Sequence, residues 1–246
     1  MRDLQTAIIH YSAPPVIGGV ESVIQAHADL MIKQGFPVSV IAGRGSAAAL
    51  TEGVEYIELD SQHPDILEIT AELERGNVPG GFDDMLNRIF EILEPVAARF
   101  NTLIAHNIFG KRFNLPLTGA LARLMDVGVP VNWILWGHDF DWTSPRSRSK
   151  VHDGFPWDLL RTAHPRATYV VVSEKRREEL AGLLKLDPEE IVVVYNGVDP
   201  GILLGLTNEG QALVRRLDLL SRDLVLLMPV RVTQAKNIES VSYTHL

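Results

Sequence analysis

Short apolar runs rich in β-branched residues recur along the chain, separated by segments long enough to form helices. Their hydrophobicity is continuous instead of alternating, as a strand covered on both faces requires. Such runs predict a parallel sheet with helices packed against both of its faces. The runs are Thr6–His10, Val38–Ala42, Thr102–Ala105, Val131–Trp136, Tyr169–Ser173, Ile191–Tyr195 and Leu224–Val230, with a fainter one at Val54–Leu59.

Segments with helical periodicity alternate with these runs. Val20–Gln34 places its apolar residues on one face and stops at Gly35, which suits a helix C-terminus. Asp83–Phe100, Leu115–Val127 and Glu174–Leu184 have similar patterns. Alternating strands and helices predict an α/β fold, a Rossmann-like doubly wound parallel sheet with right-handed crossovers. Ligands of such sheets bind beyond the carboxyl ends of the strands, so we expect site residues in the loops that follow them.

Composition and charge exclude several classes of protein. The formal net charge of −8 argues against a nucleic-acid binder, which needs a basic face. The absence of cysteine excludes disulfides, thiolate nucleophiles and cysteine-ligated metals. No apolar run reaches the roughly 18 residues that span a membrane, and the first residues lack the pattern of a signal peptide. These features predict a cytoplasmic protein.

Two basic clusters interrupt this acidic chain, Lys111–Arg112 and the group Arg146, Arg148 and Lys150. Clusters of this size are typical of solvated surface, and we expect that here. The alternative is a patch that faces an anionic acceptor or a membrane surface.

The last fifty residues predict a change of domain. We expect residues 1–198 to form one domain and residues 199–223, with a possible helix at Gln211–Leu220, to connect it to a second. Residues 224–239 would be the start of that second Rossmann-like domain, beginning with its first strand. Because a lone apolar strand leaves its backbone groups unpaired, we expect that the chain is truncated there. Residues 240–246 leave the helical pattern before them and are expected to be a non-native tail.

The loop after the first run contains two adjacent glycines, Gly18 and Gly19, directly before a helix. Glycines there allow a ligand to approach the backbone closely, and the amides and dipole of the helix favour a phosphate. The spacing differs from the G-x-G-x-x-G pattern of dinucleotide-binding folds. The alternative is a glycine turn that only starts the helix.

The sequence WGHDFDW, residues 136–142, follows another buried run. Asp139 and Asp141 form a D-x-D pair, which can hold a divalent cation through its oxygens. His138 can instead lie beside a reacting group and form a hydrogen bond with it. The third alternative is a polar loop with a structural histidine. We favour His138 as the site residue, with Arg146 as a candidate for an acidic group of the acceptor.

Other run ends carry polar residues with simpler interpretations. Asn196-Gly197 permits the left-handed turn with which a chain leaves a sheet. Arg231 and Lys236, five residues apart in a strand-to-helix loop, can grip a diphosphate from two sides. His106, with Asn107 after it, is expected to be a structural histidine.

Taken together, these loops resemble the GT-B glycosyltransferases, specifically the retaining family 4. The matching pieces, in order, are PPVIGGVE with the later QGFPVSVIAG, then WGHD, VVSEKRREEL, VVVYNGVD and PVRVTQAKNIE. In that family two Rossmann-like domains face each other across a cleft, the first binding the acceptor and the second the nucleotide sugar. The resemblance therefore implies the acceptor-side domain of a hexosyltransferase that retains configuration and needs no metal or other cofactor.

The resemblance also implies roles for individual residues. Gly18 and Gly19 would approach the donor diphosphate, His138 would lie beside the transferred sugar, and Arg231 and Lys236 would be the paired diphosphate cations. The other assignments are Asp139, Asp141 and Arg146 to the acceptor side of the cleft and Asn196, Gly197 and Asp199 to the interdomain hinge.

The chain departs from the family because the paired-glutamate motif that contacts the donor would fall beyond residue 246. We therefore expect the chain to be inactive by itself. Saccharide, lipid-linked and small-molecule acceptors stay open, as does peripheral contact with a membrane. The alternatives are a sugar-nucleotide epimerase of the same fold and a non-catalytic sugar- or nucleotide-binding relative.

Overall fold

The computed structural model describes residues 5–45, 53–197, 207–225, 227–230, 233 and 236. The chain divides into two compact units, Met1–Asn196 and Gly197–Leu246. Within the described ranges, no helix is both long and apolar enough to cross a membrane.

The first unit is built on a seven-stranded sheet in the order β3-β2-β1-β4-β5-β6-β7, and every pairing in it is parallel. This confirms the predicted doubly wound α/β fold. The strands are β1 (Thr6–His10), β2 (Val38–Ala42), β3 (Gly53–Glu55), β4 (Thr102–His106), β5 (Asn132–Gly137), β6 (Ala167–Val171) and β7 (Ile191–Val193).

Among the described residues, five helices connect the strands, and a sixth lies in the second unit. They are α1 (Gly19–Lys33), α2 (Pro64–Glu74), α3 (Gly81–Ala97), α4 (Leu115–Asp126), α5 (Glu174–Leu184) and α6 (Asn208–Arg216). Four of the first five lie where the periodicity predicts them, and α5 has the predicted bounds. The sequence analysis missed α2, although Ile66, Ile69 and Leu73 all lie on its buried face and proline stands at its first position.

The core lies on both faces of the sheet, as its continuous apolar strands require. Along β1, Ala7 and Ile9 belong to a large core cluster, while Ile8 between them belongs to a second, smaller one. Because successive side chains of a strand point to opposite faces, each face of β1 is packed against its own layer. The sheet is therefore covered by apolar side chains on both faces beneath the loops at its carboxyl edge.

The C-terminal predictions are met only in part. The predicted helix at Gln211–Leu220 is observed as α6, which begins earlier and ends before a short 3-10 turn at Leu219–Ser221. The described residues of Leu224–Val230 form no strand, and Leu224 and Leu227 are 68% and 70% exposed. A strand is stabilised by pairing with a neighbour, and no described residue of the second unit offers one. Residues 199–206 and 237–246 lie outside the described residues.

Candidate functional site

The strand order reverses between β1 and β4, which lie side by side at the centre of the sheet. In open α/β sheets this is where ligands bind, because the connections leave in opposite directions and open a crevice. His10 ends β1, His106 ends β4, and His138 directly follows β5 on the other side of β4. The topology thus brings three histidines to one edge of the sheet.

The side chains of these histidines contact one another directly. The His10 Nδ1–H donates a hydrogen bond to the backbone oxygen of His106 over 2.6 Å. The Nδ1 of His106 lies 3.2 Å from the Nε2 of His138, a hydrogen bond between two imidazoles. Helix α1 adds His27, whose ring centroid is 5.6 Å from that of His106, and Trp136 stacks on His106 at 5.4 Å. His106 is therefore the centre of a histidine cluster (His10, His27, His106 and His138) and not an isolated structural residue.

Burial keeps these imidazoles neutral. It lowers the pKa of His106 to about 2, with the neighbouring histidines acting in the same direction. It lowers the pKa of His138 to about 4, although the charge of Asp139 opposes the change. The pKa of His10 is lowered to about 4 by burial, against the attraction of Glu21. At neutral pH each of these rings carries one proton and acts as both a donor and an acceptor.

Asn107 fixes the loop that carries His138. Its backbone has φ 53°, in the left-handed region that asparagine tolerates better than most residues. Its Oδ1 accepts hydrogen bonds from the backbone amides of His138 at 3.0 Å and Asp139 at 3.5 Å. Its Nδ2 donates to the Asp139 carboxylate at 3.1 Å. Asn107 therefore ties the end of β4 to the loop after β5, a role the sequence analysis missed.

We expect Asn107→Ala to lower the free energy of unfolding by about 2–3 kcal/mol, because it removes these hydrogen bonds and places a Cβ-bearing residue without a polar side chain at positive φ. Urea denaturation followed by tryptophan fluorescence measures this change. Asn107→Gly is the matched control, since glycine accepts the backbone conformation but lacks the side-chain bonds. It should recover part of the loss, and a glycine variant as stable as the parent chain would contradict the proposed role of the amide.

The glycine loop is held in place by Glu21 of α1. Gly18 precedes α1, and no side chain caps the start of that helix. The Ser12 hydroxyl donates to Glu21 Oε1 over 2.6 Å, and a Cβ on Gly18 would lie only 2.0 Å from Glu21 Oε2. By contrast, a Cβ on Gly19 would meet nothing within 4 Å. Packing within the protein therefore does not require glycine at position 19, and the space beside its Cα is open.

Asp141 has a structural role that corrects its assignment to the acceptor cleft. Its carboxylate is fully buried and accepts two hydrogen bonds from Arg112, one from the backbone amide and one from Nη1, each at 2.9 Å. Lys111 Nζ lies 2.8 Å from its other oxygen and 2.9 Å from Asp139. Both carboxylates of the D-x-D pair are therefore engaged by cations of this protein. The Asp139 side chain is 44% exposed and keeps contact with solvent.

The prediction that Lys111–Arg112 is solvated surface is wrong. Both side chains are buried, at 7% and 8% exposure, because they neutralise Asp141 inside the fold. Arg112 also pairs with Glu74 of α2 at 2.6 Å. This buried ion network (Lys111, Arg112, Asp139, Asp141 and Glu74) connects α2 to the loops after β4 and β5.

The second basic cluster agrees better with the surface interpretation. Lys150 pairs with Glu74 at 3.0 Å while staying partly exposed. The Arg148 guanidinium lies 4.5 Å from the ring centre of Trp142, a cation–π contact. Arg146 is exposed, and its predicted contact with an acceptor stays a prediction.

The remaining predicted residues lie toward the C-terminus. Asn196 and Gly197 are exposed at the boundary between the two units. Lys236 is exposed within the second unit. Arg231 and Asp199 lie outside the described residues. The hinge and the paired diphosphate cations therefore stay predictions.

In the part of the chain that the structure describes, no group of three or more histidine, aspartate or glutamate side chains is arranged to hold a metal ion. The histidine cluster fits this finding, because the rings of His27 and His138 are tilted against that of His106 and His138 is hydrogen-bonded to it. That the reaction needs no metal stays a prediction.

Comparison with known proteins gives the same fold and a family. Residues 17–201 match the family model described as Glycosyltransferase Family 4. The crystal structure of WaaG, a glycosyltransferase involved in lipopolysaccharide biosynthesis, superposes with a TM-score of 0.50 at 10% identity, over 87% of this chain and 51% of that one. The apo form of WaaB, a lipopolysaccharide outer core galactosyltransferase, gives a TM-score of 0.48 at 12% identity, over 80% and 46%. The chain thus spans about half the length of these structures. No curated protein sequence matches it.

Proposed function

Because this chain belongs to glycosyltransferase family 4, we propose that it is the acceptor-side domain of a hexosyltransferase. The enzyme would transfer a sugar from a nucleotide-sugar donor to a saccharide, lipid-linked or small-molecule acceptor, with retention of configuration. The match to the family model covers most of the first unit, and the strand order reverses between β1 and β4, where ligands of such folds bind.

The observation that carries this proposal is the combination of the Gly18–Gly19 turn with the histidine cluster at one edge of the sheet. The first amides of a helix have no partners within the helix, and the dipole adds partial positive charge there. Gly18 supplies no side-chain cap, and the space beside Gly19 is open to an approaching group. A diphosphate suits this position, and the transferred sugar would then lie toward His138.

The chemistry of such a transfer explains why amides and a neutral histidine suit the first unit. When the glycosidic bond to the donor breaks, negative charge develops on the diphosphate that leaves. Preorganised amides, with Arg231 and Lys236 as cations from the second unit, would stabilise that charge without a metal. A neutral His138 can form a hydrogen bond with a sugar oxygen without competing for the diphosphate as a cation would.

We expect Gly19→Ala to separate folding from function. A methyl group at this position meets no protein atom, so thermal stability should stay the same or rise slightly, because alanine favours the helix. The same methyl group would occupy the space of the approaching diphosphate, and sugar transfer should fall by about 10-fold or more, corresponding to roughly 1.4 kcal/mol. Melting temperature and transfer rate are measured on the same preparation of the protein as its gene encodes it, since the 246-residue chain alone is expected to be inactive.

Gly18→Ala is the comparison variant for this experiment. There the new Cβ would displace Glu21 from its bond with Ser12, so both stability and transfer should suffer. A Gly19→Ala protein that transfers sugar at the normal rate would contradict a diphosphate beside this turn.

The activity itself is tested with the protein as its gene encodes it. Incubation with labelled nucleotide sugars, one at a time, and with lipid, polysaccharide and small-molecule acceptors should label one acceptor class. The anomeric configuration of the product, determined by NMR, then tests retention. Release of an epimerised nucleotide sugar without labelled acceptor would overturn the proposal.

Two finer points belong to the same proposal. The 246-residue chain by itself should not transfer sugar, because the donor would be bound by a second complete Rossmann-like domain. The enzyme would act in the cytoplasm, with peripheral membrane contact if its acceptor is lipid-linked. Sedimentation with liposomes measures this membrane contact.

A further inference from the structure

The hydrogen bond between His106 and His138 admits two arrangements of its proton. The Nδ1 of His106 and the Nε2 of His138 are 3.2 Å apart, and one of them must donate to the other. If His106 donates, His138 is left with its proton on Nδ1. If His138 donates, its Nδ1 is an acceptor and the proton of His106 moves to Nε2. The choice decides what His138 offers to a ligand.

The surroundings of His106 distinguish these arrangements. Its side chain is fully buried, and Nε2 has no hydrogen-bond partner among the described residues. A buried N–H without an acceptor is disfavoured more strongly than an unshared lone pair. The Nε2 of His106 is therefore better left unprotonated, which places the proton on Nδ1 and makes His106 the donor.

The neighbouring groups support the same arrangement. Trp136 is stacked on the His106 ring with an interplanar angle of 14°. Its indole nitrogen is only a donor, so it cannot accept a hydrogen bond from His106 Nε2. His10 uses its own Nδ1–H to donate to the His106 carbonyl, so it orients the backbone of His106 without taking part in the ring-to-ring bond. The pKa of His106 is lowered to about 2 by burial, so a doubly protonated ring does not provide a third alternative at neutral pH.

We propose that His106 is a positioning residue that holds His138 in the tautomer with its proton on Nδ1. His138 then presents a hydrogen-bond donor to the crevice. Given the proposed function, on which this part rests, the group it recognises is an oxygen of the sugar acting as an acceptor, and His138 does not act as a general base toward a hydroxyl.

The experiment is ¹⁵N–¹H correlation spectroscopy of the histidine side chains in the uniformly ¹⁵N-labelled chain near pH 8, where the imidazoles are neutral. Two residues serve as internal references. His10 must carry its proton on Nδ1, since it donates to a carbonyl from that atom, and His152 must carry it on Nε2, since its Nε2 lies 3.2 Å from the Glu74 carbonyl oxygen. We expect the pattern of His138 to match that of His10. A pattern like that of His152, or an average of both, would overturn the proposal.

A pair of substitutions at His106 tests the cause. His106→Gln keeps an amide that can donate, whereas His106→Phe keeps an aromatic ring with no donor. If both fold, the Nδ1–H pattern of His138 should persist in the glutamine variant and become averaged in the phenylalanine variant. An unchanged pattern in the phenylalanine variant would show that His106 does not set the tautomer. These readouts need no substrate, so a failure of the proposed transferase activity would leave them interpretable and would be seen separately in the transfer assay.

Discussion

The free energy of unfolding should fall by roughly 6 kcal/mol between pH 7 and pH 5, because the buried His10 and His106 and the half-buried His138 stay neutral in the folded chain. Their pKa values are lowered from 6.5 to about 4 for His10, about 2 for His106 and about 4 for His138. Each pKa unit corresponds to about 1.4 kcal/mol. The lowered pKa of each histidine therefore reduces the free energy of unfolding by roughly 2 kcal/mol at pH 5. A loss of this size is comparable with the whole stability of many domains.

The direction follows from the protons that each state binds. Between about pH 6.5 and pH 4 these histidines are protonated in the unfolded chain but stay neutral in the folded chain. The unfolded chain therefore binds more protons, and lowering the pH favours unfolding. The stability associated with the neutral histidines is complete above the pKa of a histidine in the unfolded chain, and it is lost as the pH falls below that value. Overall charge acts in the opposite direction, because lowering the pH toward the isoelectric point near 5.5 reduces the net negative charge of the chain. A fall in stability in this range would therefore identify the histidines.

Urea denaturation at half-unit steps of pH, followed by tryptophan fluorescence, measures this dependence. His138→Gln is the control variant, because it removes one of the three groups at the most accessible of the three positions. Its unfolding free energy should depend on pH less steeply by about one proton, or roughly 1.4 kcal/mol per pH unit at most. A stability that is flat from pH 7 to pH 5 would show that these rings are not buried as neutral groups.

The fold could be predicted from the sequence because each strand has a recognisable local sequence pattern. Runs such as Thr6–His10 and Val38–Ala42 are continuous and β-branched, and the structure gives both strands the predicted bounds. Helix α2 was missed because its apolar positions follow a stretch without a clear strand before it, where periodicity alone is ambiguous. The described residues of the apolar run at Leu224–Val230 form no strand, since a strand-like composition does not make a strand without a paired neighbour. Its assignment to the first strand of a second domain stays a prediction.

The site could be predicted only where chemistry and local pattern coincide. His138 was singled out because it follows a buried strand in a polar loop; the structure places it beside His106, and its role toward a sugar stays a prediction. His10 and His27 gave no such signal, because one ends a strand and the other lies within a helix, and only the strand order places them beside His106. The buried roles of Lys111 and Arg112 were hidden for the same reason. Their partner Asp141 is about thirty residues away, and a local basic pair resembles solvated surface until that carboxylate is placed against it.

Asp141→Asn should destabilise the chain by about 3–5 kcal/mol, the usual cost of removing one charge from a buried ion pair. Burial alone would raise the pKa of Asp141, but the charges and hydrogen bonds of Lys111 and Arg112 hold it below its usual range. The carboxylate is therefore ionised at neutral pH, and asparagine would leave two buried cations with too little negative charge. The carboxylate's contribution is present above about pH 4 and is lost as the pH falls further.

Asp139→Asn is the matched control, since Asp139 binds the same Lys111 but its side chain is 44% exposed. Water screens such a pair, and its loss should cost no more than about 1 kcal/mol. Comparing the two variants by urea denaturation at neutral pH therefore separates the buried carboxylate from the exposed one. Equal losses in both would mean that Asp141 is not the anchor of the ion network, and that the loop carrying His138 is held chiefly by Asn107. If instead only Asp141→Asn is costly, the second aspartate of the D-x-D pair belongs to the framework of the fold, and Asp139 is the one whose exposed oxygen can contact a ligand.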